Sequence, residues 1–289
     1  MELNGFVNII KPTGMTSSDV VLKVKKILNT KKVGHLGTLD PAASGVLPIA
    51  VGKATKFFDY FLSKDKEYIA LVQFGVETDS GDSFGNIIST SEKIVEPFSI
   101  YNAIPSLLGE IEQTPPKYSA VKINGKRACD LARENANFEI KPRKITIFSI
   151  DLLKKVDNNQ FLFKVHCSAG TYIRTLFMDM AKLIGTIASV PVIIRTKSGL
   201  FDKKSAITLE ELEKNRQIMS INDIFCNFKH FEVGEILAKL IINGSKYIEN
   251  ENNLFPENED FFLDYSGRTI GLFFVENGMI RRRVFLYQN

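Results

Sequence analysis

Apolar positions along the chain follow two rhythms. Gly5-Phe-Val-Asn-Ile-Ile10 is a short apolar run closed by Lys11-Pro12-Thr13-Gly14, which predicts a strand ending in a turn. Val20, Val21, Val24, Ile27 and Leu28 then recur at helical spacing while Lys23, Lys25 and Lys26 lie off the stripe, so a helix follows. Thr16 and Asp19 stand before it at capping-box spacing, with Asp in place of the usual Glu or Gln. From Tyr68 to Phe74 the chain reads as a strand ended by Gly75, with Tyr68, Ala70, Val72 and Phe74 on one face. Lys144–Leu152 and Phe161–Ser168 read as two more strands. After an Ala169-Gly170 turn, Thr171–Ile184 carries Ile173, Leu176, Phe177, Met180 and Ile184 at helical spacing.

Three stretches break these rhythms. Gly34–Gly52 is dense in Gly and Pro and is expected to be a loop. Residues 114–143 hold Pro115-Pro116, Asn124-Gly125, a short helical stretch near Arg127–Glu134 and many basic residues, as an inserted arm would. Beyond a helix at Leu209–Glu213, residues 228–289 turn rich in Phe, Asn and Gly. The β-like pieces Phe261–Leu263, Thr269–Phe274 and Arg283–Tyr287 there predict a small β domain. No repeat of fixed period is present.

Composition narrows the class. The chain has 289 residues, 44% hydrophobic and 24% charged, which fits a folded protein of two domains and excludes collagen-like or mostly disordered chains. The first residues lack a basic, then apolar leader, and no run approaches the roughly 18 apolar residues of a membrane span, so a cytoplasmic protein without membrane contact is expected. Cys129, Cys167 and Cys226 are far apart, and His35, His166 and His230 lack zinc spacing. A reduced compartment and no metal are expected. With no Gly-rich phosphate cradle, no cofactor is expected either. From Asn222 onward there are 7 basic and 10 acidic residues, against 30 and 23 before it. A basic body with a mildly acidic end is compatible with a polyanionic partner.

The densest chemistry lies in Gly34-His-Leu-Gly-Thr-Leu-Asp-Pro-Ala-Ala-Ser-Gly-Val-Leu-Pro48. Glycines allow close backbone approach, and Pro41 restricts Asp40 to extended conformations, which would hold its carboxylate on a stiff turn. Such a carboxylate suits nucleophilic or general-base catalysis. Asp-Pro is also a common turn starter, so local chemistry alone leaves a capping role open.

Gly34-His35-Leu36-Gly37-Thr38-Leu39-Asp40-Pro41 with Ser44-Gly45-Val46-Leu47-Pro48 resembles the signature loop of the TruB family of tRNA pseudouridine synthases. Four further blocks stand in family order: Lys11-Pro12-x-Gly14 with Thr16-Ser17; Lys66-x-Tyr68; Gln113–Ala120 with Gly125–Ala128; and Cys167-Ser168-x-Gly170-Thr171-Tyr172-Ile173-Arg174. Cys129, Glu134 and Ile194 stand where the family usually shows Tyr, Gly and the first Arg of an Arg-Arg pair.

The resemblance implies an α+β pseudouridine synthase fold, with a mixed, mainly antiparallel central sheet flanked by helices and a small C-terminal PUA-like β domain. The expected catalytic domain is 1–225, with an RNA-binding insertion near 114–143, followed by the β domain at 228–289. The implied reaction detaches the T-loop uridine's base from its ribose, turns it and rejoins it through carbon 5. Asp40 is the implied catalytic carboxylate, as nucleophile or as base. Arg174 would orient it and Tyr68 would stack on the extruded uracil. His35 would push the target nucleotide out of its loop, and Tyr172, Lys11, Lys126 and Arg127 are expected on the substrate. The implied partner is the tRNA T stem-loop, with no obligate protein partner. A guide-dependent RNA pseudouridine synthase and a non-catalytic RNA-binding protein are the alternative readings.

Overall fold

A computed structural model describes residues 3–134, 136–245 and 248–287. In chain order its strands are β1 (Gly5–Lys11), β2 (Val33–His35), β3 (Ser44–Val51), β4 (Lys66–Phe74), β5 (Val76–Thr78), β6 (Ile87–Thr90), β7 (Gly109–Gln113), β8 (Lys122–Ile123), β9 (Lys126–Arg127) and β10 (Arg143–Asp157). They continue as β11 (Gln160–Cys167), β12 (Ala188–Ser198), β13 (Phe201–Asp202), β14 (His230–Glu232), β15 (Asp260–Tyr265), β16 (Arg268–Glu276) and β17 (Met279–Phe285).

The central sheet runs β1-β3-β12-β4-β11-β10-β7, with β2 added to β3 and β13 to β12. Every neighbouring pair is antiparallel except β3 with β12, so the sheet is mixed and mainly antiparallel. Along β4 burial alternates residue by residue, placing Tyr68, Ala70, Val72 and Phe74 together on the covered face. The helices Ser17–Ile27 and Ile173–Ile184 cover that face: Val20 and Val24 from the first, and Leu176, Phe177 and Met180 from the second, share one core with the strands. Thr16 and Asp19 form a complete capping box, with backbone and side-chain bonds in both directions. Gly185, left-handed at φ +75°, closes the second helix.

The expected loop at Gly34–Gly52 is not one. It contains β2 and the eight-residue β3, which lies inside the sheet. Only Leu36–Ala43 between those strands is irregular. The strand β12 was also not anticipated, although its centre is the apolar run Val190–Ile194. Within the basic stretch, β8 and β9 form a hairpin turned at Asn124-Gly125, with a short helix at Ala128–Arg133.

The C-terminal strands form a separate sheet, β14-β15-β16-β17. It packs Phe262, Leu272 and Val284 against Phe6, Phe57, Tyr60, Phe61 and Phe225, while a helix at Glu235–Ile242 covers part of its own core.

Candidate active site

The irregular segment Leu36–Ala43 is held from three sides. Ser17 Oγ accepts from the Leu39 amide at 2.9 Å and donates to the Leu39 carbonyl at 3.1 Å. Lys11 Nζ donates to the carbonyls of Pro12 (2.8 Å), Met15 (2.7 Å) and Pro41 (3.4 Å). Arg195 donates through Nε to Val46 O (2.8 Å), through Nη1 to Thr38 O (3.1 Å) and through Nη2 to Gly37 O (3.1 Å). A planar guanidinium delivers three such bonds in fixed directions, which a flexible ammonium cannot. Asp40 therefore sits on a braced turn, and its carboxylate projects into a cleft of about 230 Å³ shared with Tyr68, Lys66, Tyr172, Arg174 and Arg195.

In that cleft Arg174 Nη2 lies 2.6 Å from Asp40 Oδ2. The arginine is 2% exposed while the Asp40 side chain stays partly open to the cleft, so a buried, fixed guanidinium meets a carboxylate that a substrate can still reach. Both terminal nitrogens have further partners: Nη1 donates to Ser80 O at 2.7 Å, Nη2 donates to Tyr118 O at 3.0 Å, and the Asp82 carboxylate lies 3.7 Å from Nη1. Asp82 is itself fixed by Ser80 Oγ and the Phe84 amide. The guanidinium is thus locked between two carboxylates and two carbonyls, and it cannot swing away from Asp40 without stranding buried donors.

Tyr68 forms part of the cleft wall. Arg195 lies directly opposite it in the β4–β12 pairing, so the arginine braces the Asp40 loop and faces the tyrosine at once. Burial pushes the Tyr68 phenol up to about 12, with the neighbouring Arg195 charge acting the other way, so the ring is neutral at physiological pH. Burial likewise pushes the Cys167 thiol up to about 11, which removes it as a thiolate nucleophile.

Other anticipated residues take varied places. The Tyr172 backbone is clamped by the Gln113 side chain, which accepts from its amide at 2.8 Å and donates to its carbonyl at 3.1 Å. Its ring carries the Arg143 guanidinium 4.8 Å from the centroid. Lys11 is wholly buried and bonds to backbone carbonyls, so it faces the loop from within. His35, on β2, lies outside the Asp40 cleft; burial lowers its basicity and its Nδ1 has no hydrogen-bond partner. Lys126 and Arg127 are exposed on the arm and are not part of the cleft lining, with Lys126 Nζ 3.3 Å from Glu134.

Sequence reasoning missed three charged residues of the site: Lys66, Asp82 and Arg195. Lys66 is buried in the cleft wall, where desolvation lowers its ammonium to about 8. The signals for Arg195 were its place as the second residue of the family's Arg-Arg pair and a charged side chain directly after the apolar run of β12. Among the described residues no three His, Cys, Asp or Glu side chains converge as a metal site, and no helix is long and apolar enough to cross a membrane.

Residues 25–173 match the family model described as TruB family pseudouridylate synthase (N terminal domain). A protein of Clostridioides difficile (strain 630) named tRNA pseudouridine synthase B is 41% identical over 280 residues, 91% of each chain. Its namesake from Caldanaerobacter subterraneus subsp. tengcongensis is 40% identical over 294 residues, covering 99% of this chain and 100% of its own. Among solved structures, a Cbf5-Nop10-Gar1 complex contains a similar chain at TM-score 0.70 and 25% identity, covering 98% of this chain and 84% of that one. The match over more than half the sequence, with relatives alike along nearly its whole length, places the chain in the TruB family of pseudouridylate synthases.

Proposed function

We propose that this protein isomerises the T-loop uridine of tRNA to pseudouridine, with Asp40 as the catalytic carboxylate. The 2.6 Å pairing of Asp40 with a buried Arg174 in the Tyr68 cleft carries this reading. Family membership supplies the reaction class, and the relatives' name, tRNA pseudouridine synthase B, supports tRNA as substrate.

In the reaction the bond between uracil N1 and ribose C1′ breaks, the base turns, and a bond from C5 to C1′ forms. C5 gives up a proton and N1 gains one, so atoms and electrons balance without a cofactor. Asp40 acts as nucleophile on the ribose or as the base that starts cleavage; both routes need an oriented carboxylate, which the Arg174 contact holds in place. Tyr68, neutral at physiological pH, offers its ring to the base. An aromatic platform is worth roughly 1–3 kcal/mol per stacked base.

A uridine inside a folded loop must be flipped out, at a cost of a few kcal/mol. His35, on β2 outside the cleft lining, fills the position the base leaves in this reading. Lys126, exchanging its exposed pairing with Glu134, and Arg127 on the arm neutralise backbone phosphates, which offsets part of that cost. In this reading residues 1–225 form the catalytic domain with its insertion near 114–143, and 228–289 form a PUA-like domain.

The test is to incubate the purified chain alone with a tRNA transcript lacking modified bases and to map pseudouridine. One pseudouridine, in the T loop, is expected without guide RNA or partner protein. Modification only with a guide RNA would favour the guide-dependent reading, and none under any condition would favour a binding protein.

A further inference from the structure

The short segment 57–66 has two sides. Toward the cleft, Leu62 and Lys66 form part of the wall beside Tyr68 and Arg195. Away from it, Phe57, Tyr60 and Phe61 pack against Phe262, Leu272 and Val284 of the C-terminal sheet. One polar group joins the two bodies at this seam. Asp260, the first residue of β15, lies 3.5 Å from Lys64 Nζ and accepts from Arg283 Nε at 3.1 Å. The Asp260 charge also acts on the Tyr60 hydroxyl, which burial first and this carboxylate second hold well above the usual phenol range. The contacts continue to both sides: the Lys64 ammonium sits 4.1 Å from the Tyr60 ring centroid, and the Arg283 guanidinium lies 3.5 Å from that of Phe274.

From Lys64 the connection reaches the cleft in one step. Lys66 Nζ donates to the carbonyls of Leu62 at 2.8 Å and of Lys64, closing the turn that follows the helix Phe58–Leu62. A helix of five residues cannot hold its own end against fraying, so its geometry depends on what it is packed and tied to. Here those ties come from Lys66 on the cleft side and from Asp260 on the far side.

We propose that Asp260 is a positioning residue for the reaction: from the C-terminal sheet it fixes Tyr60 and Lys64, and through them sets the Leu62–Lys66 wall of the cleft. The C-terminal sheet thereby shapes the reaction site as well as any RNA contact of its own. This inference rests on the reading of the Asp40 cleft as the reaction site.

The test compares the full chain with its Asp260→Asn and Asp260→Glu variants, measuring single-turnover pseudouridine formation at saturating RNA. Two RNAs are used: unmodified tRNA and a T-arm hairpin too short to span from the cleft to the C-terminal sheet. Asp260→Asn, which keeps shape and removes the charge, should lower the rate constant roughly tenfold or more on both RNAs, as small misplacements near a reacting centre do. Hairpin affinity should be unchanged, and Asp260→Glu should recover most of the rate. A parent-like rate on the hairpin, with loss confined to tRNA and accompanied by weaker binding, would overturn the inference and leave Asp260 an RNA-contact residue. Thermal unfolding of each variant is recorded. Should Asp260→Asn fail to fold, Lys64→Met removes the tie from the other side, and a parent-like rate there overturns the inference equally. Asp40→Asn run in parallel separates the two failures: if it keeps turnover, the reading of the cleft itself falls.

Discussion

Arg195 and Gly45 stand in register across the parallel β3–β12 pairing, and a Cβ on Gly45 would lie 2.3 Å from the Arg195 carbonyl oxygen. Gly45 also holds φ at +103°, where other residues are strained. The close approach lets Val46 present its carbonyl to Arg195 Nε, which starts the bracing of the Asp40 loop.

Gly45→Ala should therefore cost about 2–4 kcal/mol through overpacking and backbone strain together. Denaturant unfolding checks this. A midpoint equal to that of the parent would mean that the strands separate at no cost and that the register is loose.

Arg195→Lys keeps the charge and removes the fork that reaches Gly37, Thr38 and Val46. Turnover should fall roughly ten- to a hundredfold because Asp40 is no longer held in place, while RNA affinity changes little. Single-turnover rates beside binding measurements separate the two effects. Normal turnover with weakened binding would assign Arg195 to RNA contact instead.

Local features of this fold were legible because their causes are local. The Thr16–Asp19 capping box and the alternation from Tyr68 to Phe74 depend on residues a few positions apart, and both stand as expected. β3 was hidden by Gly45 and Pro48, which read as loop punctuation. Its pairing explains the tolerance: β12 meets only Ser44 and Gly45, and β2 meets Ile49 through Val51, so Pro48 falls in the gap between them, where its carbonyl accepts from Leu36 and no N–H is needed. In β12, Pro191 likewise sits at a register shift. At the site, Asp40, Tyr68 and Arg174 came from motif blocks, whereas Arg195 acquires its place only when β12 is laid beside β4 and β3. A position 127 residues beyond Tyr68 in sequence but opposite it in the sheet leaves no trace in local spacing.

Lys11 gives a pH signature. Burial lowers its ammonium from 10.5 to about 8, with the Asp40 charge acting in the opposite sense. Below pH 8 the folded and unfolded states are both protonated and the cost of burying the charge is felt in full. Between about 8 and 10.5 the folded state releases the proton and the unfolded state keeps it, so this group makes stability rise with pH. The stability of the parent relative to Lys11→Met should accordingly increase from pH 7 to pH 10, read as the difference between their unfolding midpoints. A difference that stays flat would mean Lys11 remains charged inside the fold.

Lys126 and Arg127 are exposed on the arm hairpin, and the proposed function assigns them to phosphate neutralisation. Replacing both with Ala should weaken binding and flatten the slope of log affinity against log salt by about one to two units. An unchanged slope would return them to ordinary solvated surface.

Asp40→Asn tests the chemistry most directly. The amide preserves the shape of the turn, whose bracing from Ser17, Lys11 and Arg195 runs to backbone carbonyls and to the Leu39 amide rather than to the Asp40 side chain. The fold should survive. The amide can neither attack ribose nor accept its proton at a useful rate, so pseudouridine formation should fall below detection. RNA binding should persist and tighten slightly, because one negative charge facing a polyanion is gone while stacking and phosphate contacts remain. Arg174→Ala should also lower turnover strongly, with less effect on affinity, since it leaves Asp40 and Asp82 facing each other without the shared guanidinium. If Asp40→Asn instead kept a few per cent of parental turnover and lost RNA binding, the carboxylate would be shaping the loop rather than reacting, and the mechanism assigned to it would be wrong.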